Sequence, residues 1–66
     1  MGFTVKQARQ YAGFTQRQMA EMLGISRDTY RKIEQSPEGA TVATAKKISE
    51  VVGIPIDQIF FASVST

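Results

Sequence analysis

Apolar positions along the chain recur at helical rather than strand spacing. Val5, Ala8 and Ala12 stand at i, i+3 and i+7, which predicts a first helix over Val5–Ala12 that stops at Gly13, with Phe14 packed at the turn. Thr15-Gln16-Arg17-Gln18 has the form of a capping box, in which the Thr15 hydroxyl accepts from the Gln18 amide and the Gln18 side chain reaches back. Met19, Ala20, Met22 and Leu23 then supply an apolar face, and Gly24 ends the second helix. Ser26 caps a third helix that runs to about Gln35, with Ile25 stapled onto Tyr30 and with Tyr30 and Ile33 pointing inward. Ser36-Pro37-Glu38-Gly39 is a loop by composition. Thr41 caps a fourth helix whose buried stripe is Val42, Ala45, Ile48, Val51 and Val52, stopped by Gly53. Pro55 opens a last short turn in which Ile56, Ile59 and Phe60 face the core. Tyr11, Phe14, Met19 and Met22 are expected in the core as well.

The length of 66 residues allows one domain, residues 1–66, near the lower limit for a self-sufficient hydrophobic core. With no cysteine and no histidine, the chain has no disulfide, no thiolate or imidazole metal site and no histidine general base. No metal and no cofactor are expected. No stretch approaches the ~20 apolar residues that span a bilayer, and the expectation is a cytoplasmic protein. The net charge of +2 is unevenly spread: residues 1–32 carry +4 and residues 33–66 carry −2. A basic half beside an acidic half suits a protein with one face toward a polyanion.

The informative stretch runs from Gln16 to Glu34: a short helix, a tight turn at Gly24, and a second short helix. Ala20 lies where the two helices cross and leaves them room to approach, and Gly24 turns the chain without strain. With Tyr30 and Ile33 buried, these positions make a helix-turn-helix. The run TQRQMAEMLGISRDTYRKIE closely resembles the helix-turn-helix of the phage repressor and Cro family of transcription regulators. The likeness extends to Arg9, Glu34, the helix-4 stripe before Gly53 and the run IPIDQIF, and so covers about Val5 to Phe60. It implies an all-α, compact five-helix bundle. It also implies double-stranded DNA as partner, bound as a homodimer on a palindromic operator.

In a domain of this kind the N-terminal part of the third helix meets base edges in the major groove. The exposed positions there are Arg27, Asp28, Thr29, Arg31 and Lys32. Arg27 or Arg31 can bond bidentately to guanine, Lys32 can donate as a point charge, and Thr29 can touch a thymine methyl group. Asp28 either accepts from a cytosine amino group or simply favours the positive end of its helix. The bland alternative for Arg31 and Lys32 is an ordinary solvated face. By the resemblance, Gln16 bonds a phosphate and braces the first reading side chain, and Arg9 and Glu34 pair across helices 1 and 3. Arg17 and Lys6 add diffuse attraction, and the amides near Thr41 and Val42 offer a further phosphate site. With Ile59 and Phe60 inward, Phe61 faces out. The family often dimerises near this end, which makes Phe61 and Ile56 the candidate dimer interface.

Two departures from the family stand out. Tyr30 occupies a position usually held by Ile or Val, and its hydroxyl needs water or a partner, which would place it at the DNA edge of the domain, near a phosphate. The loop after the third helix carries Glu38 and no Lys or Arg, so fewer phosphates are neutralised and the salt dependence of binding should be shallower. The leading function is sequence-specific DNA binding by a transcriptional regulator, Cro-like or a prophage repressor, either complete at this length or a fragment of a longer regulator. The alternative is a protein-binding module on the same fold, such as an antitoxin-like partner. An enzyme is disfavoured: the chain has no His, no Cys, no nucleophile–base pair and no Gly-rich phosphate loop.

Overall fold

Each helix of this protein is too short to stand alone in water, so caps and packing must hold it. The structure, a computed structural model, describes residues 2–60. Within them run α1 (Val5–Ala12), α2 (Gln16–Leu23), α3 (Arg27–Gln35), α4 (Val42–Val52) and α5 (Ile56–Phe60), with one 3-10 turn at Pro37–Gly39. No strand occurs among the described residues.

The first four helices each begin on a hydroxyl cap. Thr4, Thr15, Ser26 and Thr41 accept from the backbone amides of Gln7, Gln18, Thr29 and Thr44 respectively. Such caps contribute ~1 kcal/mol each. The box at Thr15 and Gln18 is present, with the Thr15 amide donating to Gln18 Oε1 at 2.9 Å. A second box, Thr4 with Gln7, precedes α1 and was not among the expected features. Its Thr-x-x-Gln spacing is the same as that of Thr15 and Gln18, so the signal stood in the sequence.

The core is built from Val5 and Ala8 of α1, Met19 and Ala20 of α2, Tyr30 of α3, Ile48 and Val52 of α4, and Ile54 and Ile59. α4 packs against α1, α2 and α5, and α3 packs against α2 and α1. The N-terminal segment is tied down at the far end of the chain, where the Phe3 amide donates to the Gln58 carbonyl at 2.7 Å. Ser49 Oγ donates to the Ile54 carbonyl at 2.6 Å and fixes the exit of α4.

Three core expectations are corrected. Tyr11 is 73% exposed, with its ring 5.7 Å from that of Phe3. It lies three residues after the buried Ala8, but Ala12 turns inward in its place. Met22 is 39% exposed and Val42 is 71% exposed. Val42 opens α4, and the buried face of that helix starts only at Ala45. The stretch expected as plain loop, Ser36 to Gly39, contains the 3-10 turn, to which Pro37 is suited by its fixed φ.

Ala20 is buried where α2 meets α3, and its carbonyl accepts from the Ile25 amide in the turn. An Ala20→Leu variant should therefore unfold at lower urea concentration, with a loss of roughly 1–3 kcal/mol from overpacking.

Candidate nucleic-acid interface

α2 and α3 are joined by a turn of three residues, Gly24 to Ser26. Gly24 takes φ +71°, a conformation that other residues reach only with strain, and its amide closes α2 by bonding the Ala20 and Glu21 carbonyls. Ser26 then starts α3 at once. Its Oγ accepts from the Thr29 amide at 3.1 Å and donates to Thr29 Oγ1 at 2.9 Å. The first turn of α3 is therefore braced by its own side chains.

α3 divides sharply by face. Arg27, Asp28, Thr29, Arg31 and Lys32 are all exposed, whereas Tyr30 is fully buried and Ile33 and Glu34 are half-buried. Asp28 and Arg31 approach to 3.5 Å, one turn apart. Both side chains are largely exposed, so this pair is weak and either member is free to leave it for another partner. Asp28 also sits in the first turn, where a negative charge complements the helix dipole.

The buried side of α3 ends on one carboxylate. Glu34 Oε2 accepts from Arg9 Nε at 2.7 Å and from the Tyr30 hydroxyl at 2.6 Å. Glu34 Oε1 accepts from Gln16 Nε2 at 3.1 Å. Arg9 in turn donates through Nη1 to the Phe14 carbonyl at 2.8 Å. The Arg9 and Glu34 side chains are only 12% and 6% exposed. A charge pair this shielded is held by completeness of its hydrogen bonds, and no buried side-chain polar atom among the described residues lacks a partner. Burial by itself pushes the Glu34 carboxyl up; hydrogen bonds from Arg9, Tyr30 and Gln16, with the Arg9 charge, outweigh it and hold the carboxyl below its ordinary value. Burial, reinforced by the adjacent Glu34 carboxylate, raises the Tyr30 phenol, which remains a protonated donor.

The expected phosphate contact from Tyr30 is thereby corrected. Its side chain has no exposed surface, and its hydroxyl is turned inward onto Glu34. A Tyr four residues before a Glu on one helix was the available signal, since residues at i and i+4 share a face. Gln16 is half-buried and bonded to Glu34 rather than to Arg27. Arg17 and Lys6 are exposed. Thr41 is exposed as well, with its Oγ committed to Thr44, from whose amide it accepts at 3.1 Å and to whose hydroxyl it donates at 3.0 Å. Ile56 is half-buried and lines an open groove of about 830 Å³ together with Phe3, Val42 and Phe60. Phe61, the other candidate interface residue, lies outside the described residues. No group of acidic side chains among the described residues is placed to hold a metal ion, and no helix there is long and apolar enough to cross a membrane.

The helix-turn-helix family model matches residues 5–59. Among curated proteins, a putative HTH-type transcriptional regulatory protein of Archaeoglobus fulgidus is 41% identical over 49 residues, covering 74% of this chain and 16% of that protein. The HTH-type transcriptional regulator RamB of Mycobacterium tuberculosis is 41% identical over 63 residues, covering 96% of this chain and 13% of RamB. A prophage-derived, uncharacterized HTH-type transcriptional regulator of Bacillus subtilis, YonR, is 34% identical over 56 residues, covering 85% of this chain and 52% of YonR. The chain thus spans a small part of the first two relatives and about half of the third. No solved structure matches it. The chain belongs to the Cro/C1-type helix-turn-helix family, whose members named here are transcriptional regulators.

Removing the Glu34 carboxylate leaves the Arg9 charge shielded and unpaired. Glu34→Ala should lower the unfolding free energy by roughly 3 kcal/mol in urea titrations, the low end for a broken buried pair because Arg9 keeps Phe14. The depressed carboxyl also sets a pH dependence. Its stabilisation is complete above the ordinary glutamate value of about 4.3 and is lost as pH falls from there through the lower folded value. Stability curves measured across that acid window should be flatter for Glu34→Gln than for the native domain.

Proposed function

We propose that this chain binds double-stranded DNA sequence-specifically, with the exposed face of α3 in the major groove, as a transcriptional repressor of the Cro-like or prophage type. The observation that carries the proposal is the division of α3: three cations, Asp28 and Thr29 lie exposed on one face, while the opposite face is fastened to the domain. Arg27 and Arg31 take guanine edges, with Lys32 as a point donor, and Thr29 meets a thymine methyl. Asp28 accepts from a cytosine amino group when Arg31 swings away from it. Gln16 and Arg17 at the start of α2, with the amides beside Thr41 at the start of α4, hold phosphates and set register. The loop after α3 carries Glu38 and no Lys or Arg, so attraction to phosphate is modest.

The homodimer and the palindromic operator rest on the family resemblance. Ile56 with Phe61 at the α5 end is the proposed contact, and the apolar groove beside Ile56 supplies surface for it. A two-fold dimer places half-sites about 34 Å apart, one helical turn. The proposed location is the cytoplasm.

Selection of bound duplexes from a random-sequence pool tests the proposal. A recovered motif with two-fold symmetry is the expected result; a pool that stays unenriched, while the domain captures a protein partner through the Ile56 groove, would favour the antitoxin-like alternative. On the recovered duplex, Arg27→Ala combined with Arg31→Ala should reduce the ratio of specific to non-specific affinity by roughly tenfold or more. Arg17→Ala should instead weaken binding to all duplexes alike and reduce the slope of log K against log salt by about 0.9.

A further inference from the structure

We infer that Tyr30, which no DNA can touch, is a positioning residue for DNA binding: through Glu34 it fixes the Gln16 side chain at the start of α2. The inference rests on the DNA-binding reading above. The chain of contacts is short. The Tyr30 hydroxyl donates to Glu34 Oε2 at 2.6 Å, and Glu34 Oε1 accepts from Gln16 Nε2 at 3.1 Å. The ring of Tyr30 is immobilised by complete burial, so its hydroxyl is a fixed point from which the carboxylate is aimed.

The aim matters because of how Arg9 meets Glu34. The guanidinium reaches the carboxylate through Nε alone, onto Oε2, while its Nη1 is spent on the Phe14 carbonyl. A guanidinium prefers to take both oxygens of a carboxylate side by side. The Tyr30 hydroxyl is a second donor on Oε2 and holds the carboxylate against that rotation, which leaves Oε1 for Gln16. Without the hydroxyl, the carboxylate is free to turn Oε1 toward Arg9. Gln16 then loses its inner anchor, and its amide is no longer pre-oriented. With the anchor in place, one N–H of Gln16 is used inward, and the other, with the carbonyl, remains available to a ligand. A side chain fixed before binding loses less entropy on contact with a phosphate.

Tyr30→Phe keeps the buried ring and removes only the hydroxyl. Four duplex-binding measurements by fluorescence anisotropy, on a labelled duplex recovered from the random pool, make a double-mutant cycle of the native domain, Tyr30→Phe, Gln16→Ala and the double variant. Gln16→Ala should weaken binding roughly tenfold, as expected for one hydrogen bond to a charged group. Tyr30→Phe should weaken it by about three- to tenfold. In the Gln16→Ala background, Tyr30→Phe should then change nothing, because the group it acts through is gone. A purely structural role for Tyr30 would instead give equal losses in both backgrounds, and that result, or an unchanged affinity for Tyr30→Phe alone, overturns the inference.

The side-chain amide signals of Gln16 in free, 15N-labelled protein provide a readout independent of DNA. They should be shifted and ordered in the native domain and move to mobile, solvent-like values in Tyr30→Phe; identical signals in the two proteins also overturn the inference. Failure of the native domain to bind any recovered duplex overturns the DNA-binding reading instead, and the amide signals still decide whether Tyr30 sets Gln16.

Discussion

One carboxylate ties together the three helices that matter for function. Glu34 on α3 receives Arg9 from α1, Gln16 from α2 and Tyr30 from its own helix. Arg9 and Tyr30 are shielded, and each leaves a shielded polar group short of a partner if the carboxylate is lost. Arg9 extends the network to the Phe14 carbonyl, just ahead of the Thr15 cap. The start of α2 is consequently registered against the end of α3 by charge-assisted hydrogen bonds, which tolerate less slippage than apolar contact alone.

This polar clamp has large consequences because the domain is small. Its core is about ten apolar side chains, most of them aliphatic or alanine, with Tyr30 the largest that is fully buried. A core of this size offers little surplus over conformational entropy. The hydroxyl caps at the starts of α1 to α4 and the left-handed glycine exits of α1, α2 and α4 close helix ends that packing cannot reach. The outward face of α3 is then free of structural duty. Its charges need not be paired to keep the domain folded, and a nucleic acid can engage them at no cost to the core.

Much of this was legible in the sequence. The glycines at 13, 24 and 53 and the hydroxyls at 15, 26 and 41 mark helix ends through backbone geometry that few other residues satisfy, and the helix bounds follow from them. The exposed face of α3 follows from the same 3.6-residue period. Side chains near helix ends were harder. Tyr11 and Val42 are apolar at roughly the right spacing, yet each lies where no neighbouring helix covers it, and periodicity knows nothing of where a partner stops. The direction of the Tyr30 hydroxyl was misjudged for a related reason. Burial of the ring follows from the pattern, whereas the polar tip goes to whichever acceptor lies nearest, and Glu34 is one turn away on the same face.

The exposed face of α3, registered through Glu34 to the start of α2, is the proposed surface that meets DNA. Titration of 15N-labelled protein with a duplex recovered from the random pool tests it directly, by the backbone amide shifts of every residue. The largest changes should fall on Arg27 to Lys32 and on Gln16 and Arg17, with the start of α4 affected less and the groove around Phe3 and Ile56 undisturbed at constant oligomeric state. Changes centred on that groove, with α3 silent, would contradict it.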